Sequence, residues 1–199
     1  MPYGADEVTA RVVAGLRALF EAPAAEIVLM STGSSANALA LATMTPPFAA
    51  VYCHPESHVN VDECGAPEFY TGGAKLVPVE GQHAKMSVEA LESAITGAGV
   101  VHHVQPAAVS VTQVTEAGTL YTLEELRAIS DICKRHELKL HMDGARFANA
   151  IEDLGCTPAA CSHELGVDAL SFGATKNGAM CAEAILFFDP ELALSLIHI

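Results

Sequence analysis

The feature that most constrains the fold of this chain is a regular alternation of short apolar segments with longer segments of helical periodicity. Runs rich in apolar and β-branched residues predict strands at 26–30, 49–53, 74–79, 107–112, 138–142, 168–172 and 183–187. Apolar spacing and capping residues predict helices at 6–20, 35–44, 87–95 and 122–136, with a last helix opening at Pro190. Strands that alternate with helices pair mainly in parallel, with helices on both faces of the sheet. The sequence therefore predicts a three-layer α/β fold around a mainly parallel sheet.

The net charge and composition of the chain argue against two classes of binding partner. The chain has 199 residues and a formal net charge of −14, and 51 % of its residues are hydrophobic. A polyphosphate or anionic membrane surface needs a basic patch, so we expect neither nucleic acid nor membrane as a partner. Residues 1–6 lack the basic start and apolar core of a signal peptide. Six cysteines without a C-x-x-C pair favour reduced, mostly buried thiols, and thus a cytoplasmic protein.

Polar side chains follow four of the predicted strands. In parallel sheets, ligands bind beyond the carboxyl ends of the strands, so these residues are the candidate site. They occupy 31–37, 54–58, 143–146 and 173–178.

The first of these segments, Ser31-Thr32-Gly33-Ser34-Ser35, is a turn of small residues that leads into a helix. Free backbone N–H groups and hydroxyls at a helix N-terminus can hold a phosphate. Neither the Walker pattern nor G-x-G-x-x-G is present, and an ordinary N-capped turn would have the same composition.

Three ionisable residues stand at the ends of later strands. Asp143 suits a metal, a cation or a protonated ring nitrogen, and it would equally suit a helix N-cap. Arg146 can bind a substrate carboxylate with two hydrogen bonds, or pair with Asp143, Glu152 or Asp153. Lys176 stands alone among small residues, as a lysine that forms a Schiff base would, or as a surface lysine in a glycine-rich loop.

His54 and His58 are four residues apart, with acidic residues nearby, so a hydrolytic metal centre is an alternative. Pro55 lies between the two histidines and the H-E-x-x-H pattern is not matched. We therefore predict no metal site, and interpret these histidines as capping or stacking side chains.

The four segments together have the composition of a pyridoxal 5′-phosphate site. That cofactor needs a phosphate cradle, a flat side chain against its ring, a carboxylate for its ring nitrogen and a lysine for its aldehyde. Asp143 and Lys176 are 33 residues apart, which fits one crossover between neighbouring strands.

Two of these segments closely resemble a known family. H-M-D-G-A-R-F-A-N-A at 141–150 is similar to the H-x-D-G-A-R-x-x-N-A segment of threonine aldolases, which belong to the β-eliminating lyase group of fold-type I pyridoxal-phosphate enzymes. S-F-G-A-T-K-N-G at 171–178 resembles the cofactor-lysine segment of the bacterial low-specificity L-threonine aldolases. G-S-S-A-N at 33–37 and Y-G-A-D at 3–6 resemble two further segments of that family.

The resemblance implies a role for each matching residue. Lys176 would bind the cofactor aldehyde, Asp143 its ring nitrogen, and His58 would stack on the ring and act as or near the base. The phosphate would be held by Gly33, Ser34 and Ser35, and the substrate would contact Arg146, Tyr3 and Thr115. Thr115 takes the place where many relatives carry a histidine associated with the substrate hydroxyl, and Tyr3 would lie near an active site, either its own or that of a neighbouring subunit.

The implied reaction is retro-aldol cleavage of L-threonine or allo-threonine to glycine and an aldehyde, in amino-acid metabolism, by a homodimer or homotetramer. The family's S-D-N segment before Y-G-x-D and its small C-terminal domain are absent from this sequence. We therefore expect residues 1–193 to form part of the large cofactor-binding domain, with 194–199 as a tail left by truncation. An inactive fragment and a related pyridoxal-phosphate β-eliminating lyase remain as alternatives.

Overall fold

One β-sheet forms the centre of the fold in the computed structural model, which describes residues 4–194 and 196. Within those residues the sheet has seven strands, in the spatial order β1-β7-β6-β5-β4-β2-β3. The strands are β1 (Glu26–Met30), β2 (Ala49–Cys53), β3 (Lys75–Pro78), β4 (Gln105–Thr112), β5 (Lys139–Gly144), β6 (Ala169–Gly173) and β7 (Glu183–Phe187). All seven predicted strands are therefore present, and the prediction of a mainly parallel α/β sheet is confirmed.

The direction of β7 is the one exception to parallel pairing. β7 runs antiparallel to both of its neighbours, β1 and β6, whereas the pairs β2–β3, β2–β4, β4–β5 and β5–β6 are parallel. A parallel crossover needs about a dozen residues or more, usually with a helix. Only the short loop 174–182 joins β6 to β7, so the chain turns back on itself there.

The helices lie between the strands, as the alternation predicts. They are α1 (Glu7–Leu19), α2 (Gly33–Met44), α3 (His58–Val61), α4 (Ala66–Tyr70), α5 (Val88–Ala94), α6 (Leu123–Arg135), α7 (Phe147–Leu154) and α8 (Pro190–Leu194). Ser87 caps α5, and Thr122 forms a capping box with Glu125 at the start of α6. None of the helices in the described residues is long and apolar enough to cross a membrane.

The hydrophobic core lies on both faces of the sheet. In β2, Tyr52 packs on one face with side chains of α5, α6 and α7, whereas Val51 and Cys53 pack on the other face with Leu41 of α2. Every residue of β2 is buried, which is the pattern of a strand covered on both sides. The predicted three-layer arrangement is thus present.

The strand pairing brings distant segments to one edge of the sheet. Asp143, at the end of β5, pairs with Thr112 of β4 and with Ser171 of β6. At the same edge, Glu183 at the start of β7 pairs with Gly173 of β6 and Met30 of β1. The segments that follow β1, β4, β5 and β6 therefore meet at one place.

Candidate active site

A cavity of about 270 Å³ opens at this edge of the sheet, close to the lower end of the ~300–1,000 Å³ range typical of small-molecule sites. Six of the predicted site residues line it: Gly33, Ser34, His58, Asp143, Arg146 and Lys176. Asn37, Glu116, Cys181 and Glu183 line it as well, and sequence reasoning had assigned them no role. The structure therefore brings together residues that are far apart in sequence, such as Gly33 and Lys176.

The N-terminus of α2 forms one wall of the cavity. Thr32 is its N-cap, and the Thr32 hydroxyl accepts a hydrogen bond from Ser35 N–H at 3.2 Å. Ser35 Oγ in turn donates to the carbonyl of Thr32 at 2.8 Å, so the Ser35 side chain is used by the cap. The N–H groups of Gly33 and Ser34 belong to the first helical turn, where backbone donors lack an intrahelical partner. These two N–H groups are the ones suited to an anion.

Asp143 is held rigidly at the floor of the cavity. Its side chain is buried, and it accepts hydrogen bonds from Asn37 Nδ2 at 2.8 Å and from Ala145 N–H at 3.0 Å. The next residue, Gly144, has no room for a side chain, because a Cβ there would lie 2.6 Å from Leu170 Cδ1 and 2.9 Å from the carbonyl oxygen of Ser171. Arg146 occupies the N-cap position of α7, so the Asp143 carboxylate does not serve as that cap.

Asn37 joins Asp143 to a second buried carboxylate. Its Nδ2 also donates to Glu63 Oε1 at 2.8 Å, and His58 Nδ1 lies 2.8 Å from the same oxygen. Burial raises the pKa of Glu63, while the hydrogen bonds from Asn37 and His58 act in the opposite direction. The network fixes the His58 ring from behind. The only signal of this network in the sequence of α2 is the amide of Asn37, which stands between two alanines.

The same cluster could be mistaken for a metal centre. Ligand atoms of His58, Glu63 and Asp143 lie within 4.8 Å of one another. The Asn37 amide donates between the two carboxylates, however, and a cation bound there would have to displace that donor. His54 is not a member of the cluster, since its Nδ1 accepts from Glu56 N–H at 3.1 Å.

Lys176 and Arg146 supply the positive charge of the cavity. Lys176 lies exposed in a 3₁₀ turn between β6 and β7, and Arg146 is partly buried. In the part of the chain that the structure describes, neither side chain forms an ion pair, so Arg146 does not pair with Asp143 or with the acids of α7. Both cations are thus available to a ligand.

Gly173 allows the loops that carry Arg146 and Lys176 to approach each other. A Cβ at Gly173 would lie 2.9 Å from Ala145 Cα and 2.7 Å from Glu183 Oε2. A side chain at this position would force the two loops apart.

Of the two predicted substrate contacts that remain, Thr115 does not line the cavity. Thr115 is buried, with its hydroxyl 2.7 Å from Thr119 Oγ1, and its neighbour Glu116 lines the cavity instead. Tyr3 lies outside the described residues. Their roles toward a substrate stay predictions.

A neutral histidine supports the site from below. His141 lies two residues before Asp143 on β5, with Nδ1 2.9 Å from Ser110 Oγ and Nε2 3.0 Å from Ser171 Oγ. Complete burial lowers the pKa of His141 to about 4, so the ring is uncharged at neutral pH.

The sheet order, with one antiparallel strand beside six parallel ones, and the lysine and aspartate at its edge define the large domain of the fold-type I pyridoxal-phosphate-dependent enzymes. Within that class, the chain belongs to the beta-eliminating lyase family, whose sequence profile matches residues 1–197.

Similar proteins and a similar solved structure have names that agree with this family. Proteins named low specificity L-threonine aldolase from a Pseudomonas species and from Pseudomonas aeruginosa are 44 % and 45 % identical over 191 residues. The match covers 96 % of this chain and 55 % of each relative, so the chain spans about half their length. The solved structure of a Leishmania major threonine aldolase superposes with a TM-score of 0.88 at 34 % identity, over 96 % of this chain and 55 % of that one.

Proposed function

We propose that the protein is a pyridoxal 5′-phosphate-dependent aldehyde-lyase that cleaves L-threonine, allo-threonine and related β-hydroxy-α-amino acids to glycine and an aldehyde. The observation that carries this proposal is the meeting of Lys176, Asp143, Arg146 and His58 with the N-terminus of α2 in one cavity. The names of the similar proteins support the choice of substrate.

The donor set of the cavity fits this cofactor. Lys176, which has no anionic partner among the described residues, would take the cofactor aldehyde, and the N–H groups of Gly33 and Ser34 would take the phosphate, with Ser35 maintaining the cap. Asp143 would bind the ring nitrogen through a carboxylate that Asn37 and Ala145 orient. His58, fixed by Glu63, would lie against the ring.

Arg146 would bind the substrate carboxylate through two parallel hydrogen bonds, and this would orient the Cα–Cβ bond in the cavity. When bound, the cofactor supplies a sink for the electron pair of the bond that breaks, and it does so best when an anionic partner keeps its ring nitrogen protonated. The burial of Asp143 excludes water from that partner, so its charge acts at close range.

We propose that the enzyme acts in the cytoplasm and that it is a homo-oligomer, either a dimer or a tetramer. All six cysteines are free thiols, which supports a reducing compartment. Exposed apolar side chains at Val8, Leu19, Phe69 and Tyr70 support association of subunits.

The test is to reconstitute the protein with pyridoxal 5′-phosphate, reduce it with borohydride and locate the cofactor by mass spectrometry. We expect the cofactor on the peptide that contains Lys176, and release of glycine and acetaldehyde from L-threonine. Lys176→Ala should lose both results. Lys75→Ala, at an exposed position on β3, is the matched control and should retain both.

Different outcomes separate the alternatives. Release of ammonia and a 2-oxo acid in place of glycine would assign the protein to a β-eliminating reaction. Cofactor attached at a lysine other than Lys176 would overturn the site itself.

A further inference from the structure

Glu116 lines the cavity, and none of the proposed contacts to the cofactor involves its carboxylate. It follows β4 at the carboxyl edge of the sheet and lines the same cavity as Arg146 and Lys176. Its Oε1 accepts a hydrogen bond from His58 N–H at 3.2 Å. Among the described residues, no other residue donates a hydrogen bond to its second oxygen, Oε2, and only the backbone N–H of Glu116 itself lies close to the carboxylate besides His58.

The loop that carries Glu116 is held firmly. Thr115 N–H donates to the carbonyl of Thr119 at 3.0 Å, and the two threonine hydroxyls lie 2.7 Å apart. Thr119 Oγ1 also donates to the carbonyl of His83 at 2.6 Å. The buried Thr115 therefore anchors the turn, and the turn presents Glu116 to the cavity.

The other acidic groups near the cavity are less suited to accept a proton from a substrate. Both oxygens of Asp143 already accept hydrogen bonds, from Asn37 and from Ala145. Glu63 is buried behind His58 and does not line the cavity. Glu183 also lines the cavity, from the start of β7, and is the matched control for Glu116.

We propose that Glu116 is the catalytic residue that accepts the proton of the substrate β-hydroxyl. This assignment rests on the proposed function. The hydroxyl proton passes to Glu116 Oε2, and the O–H electron pair forms the second bond of the aldehyde carbonyl. The Cα–Cβ bond breaks and its electron pair remains with Cα. A proton supplied to Cα by water completes glycine, and Glu116 releases the hydroxyl proton back to water, so no net proton is consumed.

The surroundings of Glu116 suit this task. Burial and the nearby charge of Asp143 raise the pKa of Glu116, and Arg146 and the His58 N–H lower it. A raised pKa makes a carboxylate a stronger base near neutral pH. The charged or titratable groups that line the cavity with it are His58 from α3, Asp143 and Arg146 from the end of β5, and Lys176, Cys181 and Glu183 around the start of β7.

The test compares Glu116→Gln with Glu183→Gln in the protein reconstituted with pyridoxal 5′-phosphate. Glutamine keeps an acceptor for the His58 N–H and removes the base, so we expect threonine cleavage to fall about 100-fold or more. Exchange of the glycine α-proton with deuterated water involves no hydroxyl, and it should stay within a few-fold of the unaltered protein. Glu183→Gln should lower cleavage far less than Glu116→Gln, and Glu116→Asp should recover part of the activity.

A second measurement is independent of turnover. In protein labelled with ¹³Cδ-glutamate, the resonance missing from Glu116→Gln identifies Glu116, and its midpoint should lie above that of an ordinary glutamate. An ordinary midpoint, or equal cleavage by Glu116→Gln, would overturn the assignment alone. If the unaltered protein cleaves no threonine while binding the cofactor, the proposed function and this assignment both fail.

Discussion

At the scale of single residues, Asn37 determines whether two buried carboxylates can lie side by side. Its amide donates to both Glu63 and Asp143 at 2.8 Å. We expect Asn37→Ala to lower the free energy of unfolding by about 1–3 kcal/mol, because each carboxylate loses a buried donor. Urea denaturation measures this, with the exposed Asn149→Ala as control. A loss no larger than that of the control would contradict the network.

His141 makes stability depend on pH. Burial lowers its pKa in the folded protein from 6.5 to about 4, so between these values the unfolded chain binds the proton and the folded chain does not. The free energy of unfolding therefore has its full contribution from His141 above about pH 6.5. About 3 kcal/mol of it is lost as the pH falls toward 4.

The measurement is urea denaturation between pH 4 and 7 of the unaltered protein and of His141→Gln. The raised pKa values of Glu63 and Glu116 act with the opposite sign, since a raised carboxyl pKa favours the folded state at low pH. These acids are present in both proteins, so the difference between the two curves isolates the histidine. A difference that does not change with pH would show that His141 titrates normally.

At the scale of elements, replacing either of two glycines by alanine should change the stability of the fold in opposite directions. Gly144 ends β5 where a Cβ would lie 2.9 Å from the Ser171 carbonyl oxygen, which cannot move without disturbing β6. Gly15 lies exposed in α1 with nothing within 4 Å of its Cβ position. We expect Gly144→Ala to destabilise the fold by about 1–3 kcal/mol, and Gly15→Ala to stabilise it by about 0.5–1 kcal/mol. Thermal denaturation of both variants tests this, and the same sign of change in both would refute the steric argument.

The sequence could predict most elements because their signals are local. The bounds of β1, β2 and β7 agree with the apolar runs, and the capping residues Ser87 and Thr122 mark the true starts of α5 and α6. The short helices α3 and α4 contain too few residues for a helical period to emerge, and they were not predicted. The reversed direction of β7 is set by the length of a loop, which apolar periodicity does not register.

At the scale of the whole molecule, the site is a product of strand order. Asn37 and Asp143 are 106 residues apart and meet because α2 covers the strand edge at which β5 ends. Individual reactive residues such as Lys176 could be found from their surroundings in sequence. Glu116 could not, because only the tertiary course of the loop after β4 decides that it, and not Thr115, faces the cavity.

This strand order also predicts how the cofactor should affect global stability. The proposed cofactor contacts come from α2, α3, β5 and the loop between β6 and β7, so unfolding any of these elements would release the ligand. A ligand that binds only the folded state stabilises it by about 2.7 kcal/mol at a concentration 100 times its Kd.

We therefore expect pyridoxal 5′-phosphate to raise the melting temperature in a single cooperative transition. Pyridoxal lacks the phosphate and should give a clearly smaller shift, because the N–H groups of Gly33 and Ser34 would remain without an anion. Lys176→Ala should keep part of the shift, since the phosphate and ring contacts do not involve that amine. Equal shifts from the two compounds would show that the N-terminus of α2 does not bind the phosphate. An unchanged melting temperature with both compounds would show that this edge of the sheet does not bind the cofactor.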